Sequence, residues 1–176
     1  MKKLMFLFLI TLFQFNLSFA ATTQLPDQAQ AGTIAYLFIE TADGGSLKKN
    51  ADDESYTLTL KGIDPYVTYF SNVPHRITGF TSIKDFSDLM NTKIAKQYPK
   101  GLNSGLVTVD HKNKQTLRYM LSLASPKYDI KNDLVTFTAY AIPGQHRHPI
   151  PDEKEFAYAI VFIDNLNICV SCIGKF

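Results

Sequence analysis

The two histidines of Gln145-His146-Arg147-His148-Pro149 are the residues whose type and spacing suit chemistry best. In an extended chain, residues two apart point the same way. His146 and His148 would therefore offer two imidazoles to one divalent metal, with Asp152 or Glu153 as a third, oxygen ligand. A polar surface loop accounts for the same letters without a metal. No other cofactor is expected.

A second candidate set lies around Ser71 to Arg76. His75 and Arg76 follow a proline and the aromatic pair Tyr69-Phe70, so a rigid turn would present a cation and an imidazole beside aromatic faces. Tyr69, Ser71, His75 and Arg76 would then form a ligand-binding group for a carboxylate, a phosphate or a glycan, because a guanidinium pairs with acidic oxygens through two hydrogen bonds. The plainer alternative is that Arg76 makes a surface ion pair and His75 is merely exposed.

The two cysteines, Cys169 and Cys172, are spaced C-x-x-C. A redox pair of this kind opens a helix that lowers the first thiol's pKa, and four residues leave no room for one, so a short-loop disulfide is the expectation in an exported protein. One such pair does not bind zinc alone. For nucleophilic catalysis the chain has serines and four histidines, yet no G-x-S-x-G elbow and no cysteine near a base.

These residues must be positioned by a mainly β chain. Lys2 and Lys3 precede an apolar run from Leu4 to Phe13 and small residues up to Ala20. This is the layout of a secretory signal peptide over residues 1–20, too short for a permanent anchor, which needs roughly 20 apolar residues. Residues 21–32 read as a flexible leader, and 33–176 as one globular domain of ordinary size. Without Lys2 and Lys3 the mature chain is formally neutral, which gives no reason to expect a nucleic-acid footprint.

Along the domain, Thr33–Thr41 is a buried strand that Asp43-Gly44-Gly45 turns into a hairpin, and Lys48–Glu54 is a charged loop. Tyr56, Leu58 and Leu60 alternate with polar residues, as do Leu117, Tyr119, Leu121 and Leu123. Ser125-Pro126 opens a turn that runs to Asp133; Asp64 and Asp164 close strands. One helix begins after the cap Ser82, with Ile83, Phe86, Leu89, Met90 and Ile94 on one side. About eight short strands and a single helix predict an antiparallel β-sandwich or barrel-like fold with one packed amphipathic helix.

The segment Tyr56-Thr57-Leu58-Thr59-Leu60-Lys61-Gly62, followed by Tyr69-Phe70-Ser71-Asn72-Val73-Pro74-His75-Arg76, resembles an uncharacterised family of secreted β-rich proteins. Gly101–Val109 and Leu123–Asp129 extend the resemblance over most of the domain. Where that family carries a charged pair, this chain has Asn72 and Val73, a departure that argues against a charge-based role for the loop. The resemblance implies one exported domain and adds no mechanism.

The expectation is a periplasmic or extracellular, non-enzymatic binding or interaction module, its partner a protein, a glycan or a small ligand. The alternatives are a hydrolase or metal-dependent enzyme using His75, His146 or His148, and an envelope structural protein.

Overall fold

The computed structural model describes residues 34–144 and 149–168. Nine strands lie within them: β1 (Ile34–Lys49), β2 (Ser55–Ile63), β3 (Tyr66–Ser71), β4 (Thr78–Ser82), β5 (Leu102–Val109), β6 (Thr116–Asp129), β7 (Leu134–Ala141), β8 (Glu153–Phe156) and β9 (Tyr158–Ile168). Every pairing is antiparallel. The order β2-β7-β6-β5-β9-β1 returns to β2, so six strands close on themselves, while β3 and β4 extend from β1. Of the two expected architectures the barrel is the one formed, and closure removes the sheet edges that an open meander would leave.

The alternation read from the sequence sets the inner face. Leu58 and Leu60 on β2, Val135 and Phe137 on β7, and Leu121 and Leu123 on β6 are all buried there. Leu106 on β5 and Val161 and Ile163 on β9 complete the wall.

Strand β1 does not end at its glycines, contrary to the hairpin expected there. It runs through Gly44-Gly45 to Lys49, and the chain reverses only at residues 50–54. Along its first half the buried residues are Tyr36, Phe38, Glu40 and Ala42; beyond the glycines Leu47, of opposite parity, is buried. The chain beside it changes parity at the same level, from Leu58 and Leu60 on β2 to Ile63 at its end and Val67, Tyr69 and Ser71 on β3. A regular strand keeps its parity. The switch needs residues without side chains, and Gly44-Gly45 lie in register opposite Leu60 and Lys61, beside Gly62 at φ +59°.

Two further expectations are corrected. Ser125-Pro126 does not start a turn: β6 continues to Asp129 across a bulge between Ala124 and Lys127, with Ser125 at φ +50°. Asp164 lies inside β9 and not at a strand end.

The helix forms where expected. Ser82 Oγ accepts from the Asp85 amide at 3.0 Å and donates to the Asp85 carboxylate at 2.7 Å, a reciprocal cap. The helix has three parts: α1 (Ile83–Leu89), a π-helical segment (Met90–Ile94) and a last turn, α2 (Ala95–Gln97). Phe86 meets Phe38 with ring centroids 5.1 Å apart, and Tyr69 stands edge-on to Tyr36 at 5.4 Å. Those rings join the helix and β3 to the barrel core.

One polar residue ties the strand ends. Asp110, which follows β5, accepts from the amides of Lys112 at 2.7 Å and Asn113 at 3.1 Å, and pairs with Lys154 on β8. Lys154 first, then those amides, hold its carboxyl well below the usual carboxylate range. A depressed folded pKa stabilises above the unfolded value of 3.8 and is lost as pH falls through the folded one. Asp110→Asn should melt several degrees below wild type at pH 7. The gap should narrow as pH falls below 3.8, as thermal scans from pH 7 to pH 2 would show.

Candidate functional site

The residues singled out from sequence scatter. Tyr69 and Ser71 face inward and are buried, Tyr69 against Tyr36 and Phe38, Ser71 with its hydroxyl accepting from the Ile77 amide at 2.9 Å. His75 and Arg76 are exposed in the loop that Ser71 closes, with Arg76 at φ +50°. The structure does not bring these four into one group. Asp152 lies beside β1, its carbonyl accepting from the Lys49 amide at 2.7 Å and its carboxylate 3.9 Å from the Lys49 ammonium. His146, His148, Cys169 and Cys172 lie outside the described residues, where the metal and disulfide expectations therefore fall. Among the described residues no group of three His, Cys, Asp or Glu side chains could hold a metal ion.

A groove of about 610 Å³ lies where the helix meets β6. Lys84, Ser87, Asp88 and Asn91 form its helix wall; Pro126, Lys127, Tyr128 and Ile130 form the other. Two backbone irregularities shape it. On the strand side Pro126, Lys127 and Tyr128 border one groove in succession, whereas a regular strand sends neighbours to opposite faces. The bulge before Lys127 re-aims them. On the helix side the π-helical segment carries Asn91, whose side-chain amide donates to the Pro126 carbonyl at 2.8 Å. That bond bridges the groove floor and holds the two irregular segments together.

The polar groups of the groove are unevenly matched. The Lys84 ammonium is 2.7 Å from the Asp88 carboxylate one helical turn on. Ser87 is buried, and its hydroxyl has no hydrogen-bond partner among the described residues. Ile130, at the rim of the cavity, is 72% exposed. A volume of this size suits a small organic ligand.

A second cleft, about 320 Å³, is polar and lined by Asp43, Lys61, His111 and Glu155 with Gly44, Gly45, Gly62 and Phe156. It gathers side chains of both signs on the outer surface, with Phe156 its one large apolar lining residue.

The barrel interior holds the most unusual titratable group. Glu40 sits on the inner face of β1 between Phe38 and Ala42, opposite Val161 of β9. It is 2% exposed, and neither carboxyl oxygen has a partner among the described residues. Burial, reinforced by the nearby charge of Asp64, pushes its pKa up to about 9, so the carboxyl is neutral at pH 7. The Tyr36 hydroxyl and the Thr108 hydroxyl are likewise buried without partners there.

Glu40 and the groove are absent from the site residues expected from the sequence. Glu40 was visible as the one acidic residue in the apolar run TIAYLFIET. The groove had no such signal, because the spacing of Phe86, Met90 and Ile94 suits an ordinary α-helix and a π-segment equally, and Ser-Pro is commoner in turns than in bulges.

Compared with known protein families, with characterised proteins and with solved structures, this chain matches none.

Proposed function

We propose that this protein is an exported, non-enzymatic binding module whose ligand site is the groove between α1 and β6. The observation that carries the reading is the meeting of two irregular backbone segments at one cavity. A π-helical segment and a β-bulge each give up regular hydrogen bonding, and both recur at functional sites, where the loss is offset by what they position. The exposed Ile130, the half-buried Tyr128 and Pro126 supply an apolar wall that water covers poorly in the free protein. Export is supported by Lys2 and Lys3 followed by the apolar run to Phe13.

The test uses N-phenyl-1-naphthylamine, a small uncharged fluorescent molecule, in titrations of the mature chain. One-to-one binding should perturb backbone amide resonances of residues 84–91 and 126–130. Ile130→Asp, at an exposed position that leaves the fold intact, should weaken it roughly tenfold, since burying an aliphatic side chain is worth about 1.5–3 kcal/mol. Binding indifferent to Ile130→Asp, or shifts spread over the barrel, would refute the assignment.

A further inference from the structure

We infer that the groove takes an amphipathic monoanion: an apolar body bearing one carboxylate, sulfate or sulfonate, received by the ammonium of Lys127. The inference rests on the groove being the binding site and names the chemistry of its occupant.

Three charged side chains line the cavity, Lys84, Asp88 and Lys127. Asp88 is taken up by Lys84, and their ion pair raises the Lys84 pKa through the hydrogen bond to Asp88. Lys127 has no carboxylate within ion-pair distance among the described residues. The groove is therefore left with one uncompensated positive charge. A cationic ligand would have to break the Lys84–Asp88 pair to find a partner.

The place of that charge is set by the bulge. Lys127 pairs with Thr136 in the ladder immediately after the bulge, so its backbone is fixed and only its side chain is free to turn toward a ligand. Beyond it Tyr128 and Ile130 continue the same wall and supply the apolar contact. A charge at one end and a hydrocarbon surface along the rest define an amphipathic occupant. On the opposite wall the buried, unpartnered Ser87 hydroxyl adds a polar group that a second polar atom of the ligand would satisfy after a small helix adjustment. A single cation argues against a polyanion, whose binding takes several.

Two probes that differ only by a sulfonate decide the matter: 8-anilinonaphthalene-1-sulfonate and N-phenyl-1-naphthylamine. Both are titrated into the mature protein at low salt, with a thermal scan confirming that each variant melts cooperatively. The sulfonate should bind three- to fivefold more tightly, the span expected of one partly exposed ion pair. Lys127→Met, which keeps the aliphatic stem, should bring the sulfonate's affinity down to that of the neutral probe measured in the same variant, and about 0.5 M salt should likewise erase the preference in wild type. Equal affinity for the two probes, with both weakened by Ile130→Asp, would overturn the monoanion and leave the groove standing. A preference lost in Lys84→Met and retained in Lys127→Met would overturn the role of Lys127. Binding of both probes that ignores Ile130→Asp would remove the groove itself, and this inference with it.

Discussion

Glu40→Gln should stabilise the protein, by an amount that grows from pH 5 to pH 9. The folded carboxyl, held up at about 9, keeps its proton, whereas the unfolded one releases it near 4.5. A group whose folded pKa is raised stabilises fully below the unfolded value, and that contribution is lost as pH climbs to the folded value. Wild-type stability should accordingly fall through this window by about 1.4 kcal/mol per pH unit from this residue alone. By pH 7 the accumulated loss is on the order of 3 kcal/mol, a large share of what a small domain possesses. Glutamine has no such equilibrium, and its buried amide leaves a constant hydrogen-bonding cost comparable to that of the neutral acid. Urea unfolding of both proteins at pH 5, 7 and 9 gives the answer. Stability curves that run parallel over this range would mean that Glu40 is ionised inside the barrel and compensated there.

The second large effect is expected at Gly45. A Cβ on this residue would lie 2.1 Å from the Thr59 carbonyl oxygen and 2.7 Å from the Phe156 ring. The ring could move, but the oxygen belongs to the paired strand β2 and is held in its ladder. Overpacking a core usually costs about 1–3 kcal/mol, and here the main chain itself must shift at the level where β1 and β2 change their buried parity. Gly45→Ala should therefore lose most of its soluble, cooperatively melting protein. Gly105→Ala is the matched control. It also lies mid-strand, its nearest heavy atom to a Cβ is Met120 Sδ at 3.9 Å, and alanine there should be neutral or stabilising by about 0.5–1 kcal/mol. Similar melting points for the two variants would show that the approach of β1 to β2 and Phe156 is loose.

Both residues lie on β1, and together they show how this strand is built. Its first half turns Tyr36, Phe38 and Glu40 into the barrel, and its second half turns Leu47 in after the two glycines. A strand that serves two parts of the core at once cannot keep a single hydrophobic period. This is why the alternating pattern fails in its middle and a turn was expected there. The same cause misplaced the end of β6, where the bulge at Ser125-Pro126 lets the strand continue with altered facing.

The helix beginning at Ser82 and the inward sets of β2 and β6 were legible in the amino-acid sequence alone. Each rests on interactions between residues close in sequence: a side-chain cap, a helical stripe, a period of two. Sheet closure was decided only by tertiary structure, because a strand's pattern shows which face is buried and not which strand lies beside it. The fate of Tyr69 and Ser71 was decided in the same way: the shift of parity between Gly62 and Pro65 turns them inward, away from His75 and Arg76. The groove depends on two irregularities 35 residues apart in the chain, joined by the bond from Asn91 to Pro126. Neither has a local signature, since a π-segment and a bulge form when packing demands them. Glu40 was readable as an acid in an apolar run, but only the closed barrel around it makes that carboxyl neutral, because the shift comes from exclusion of water.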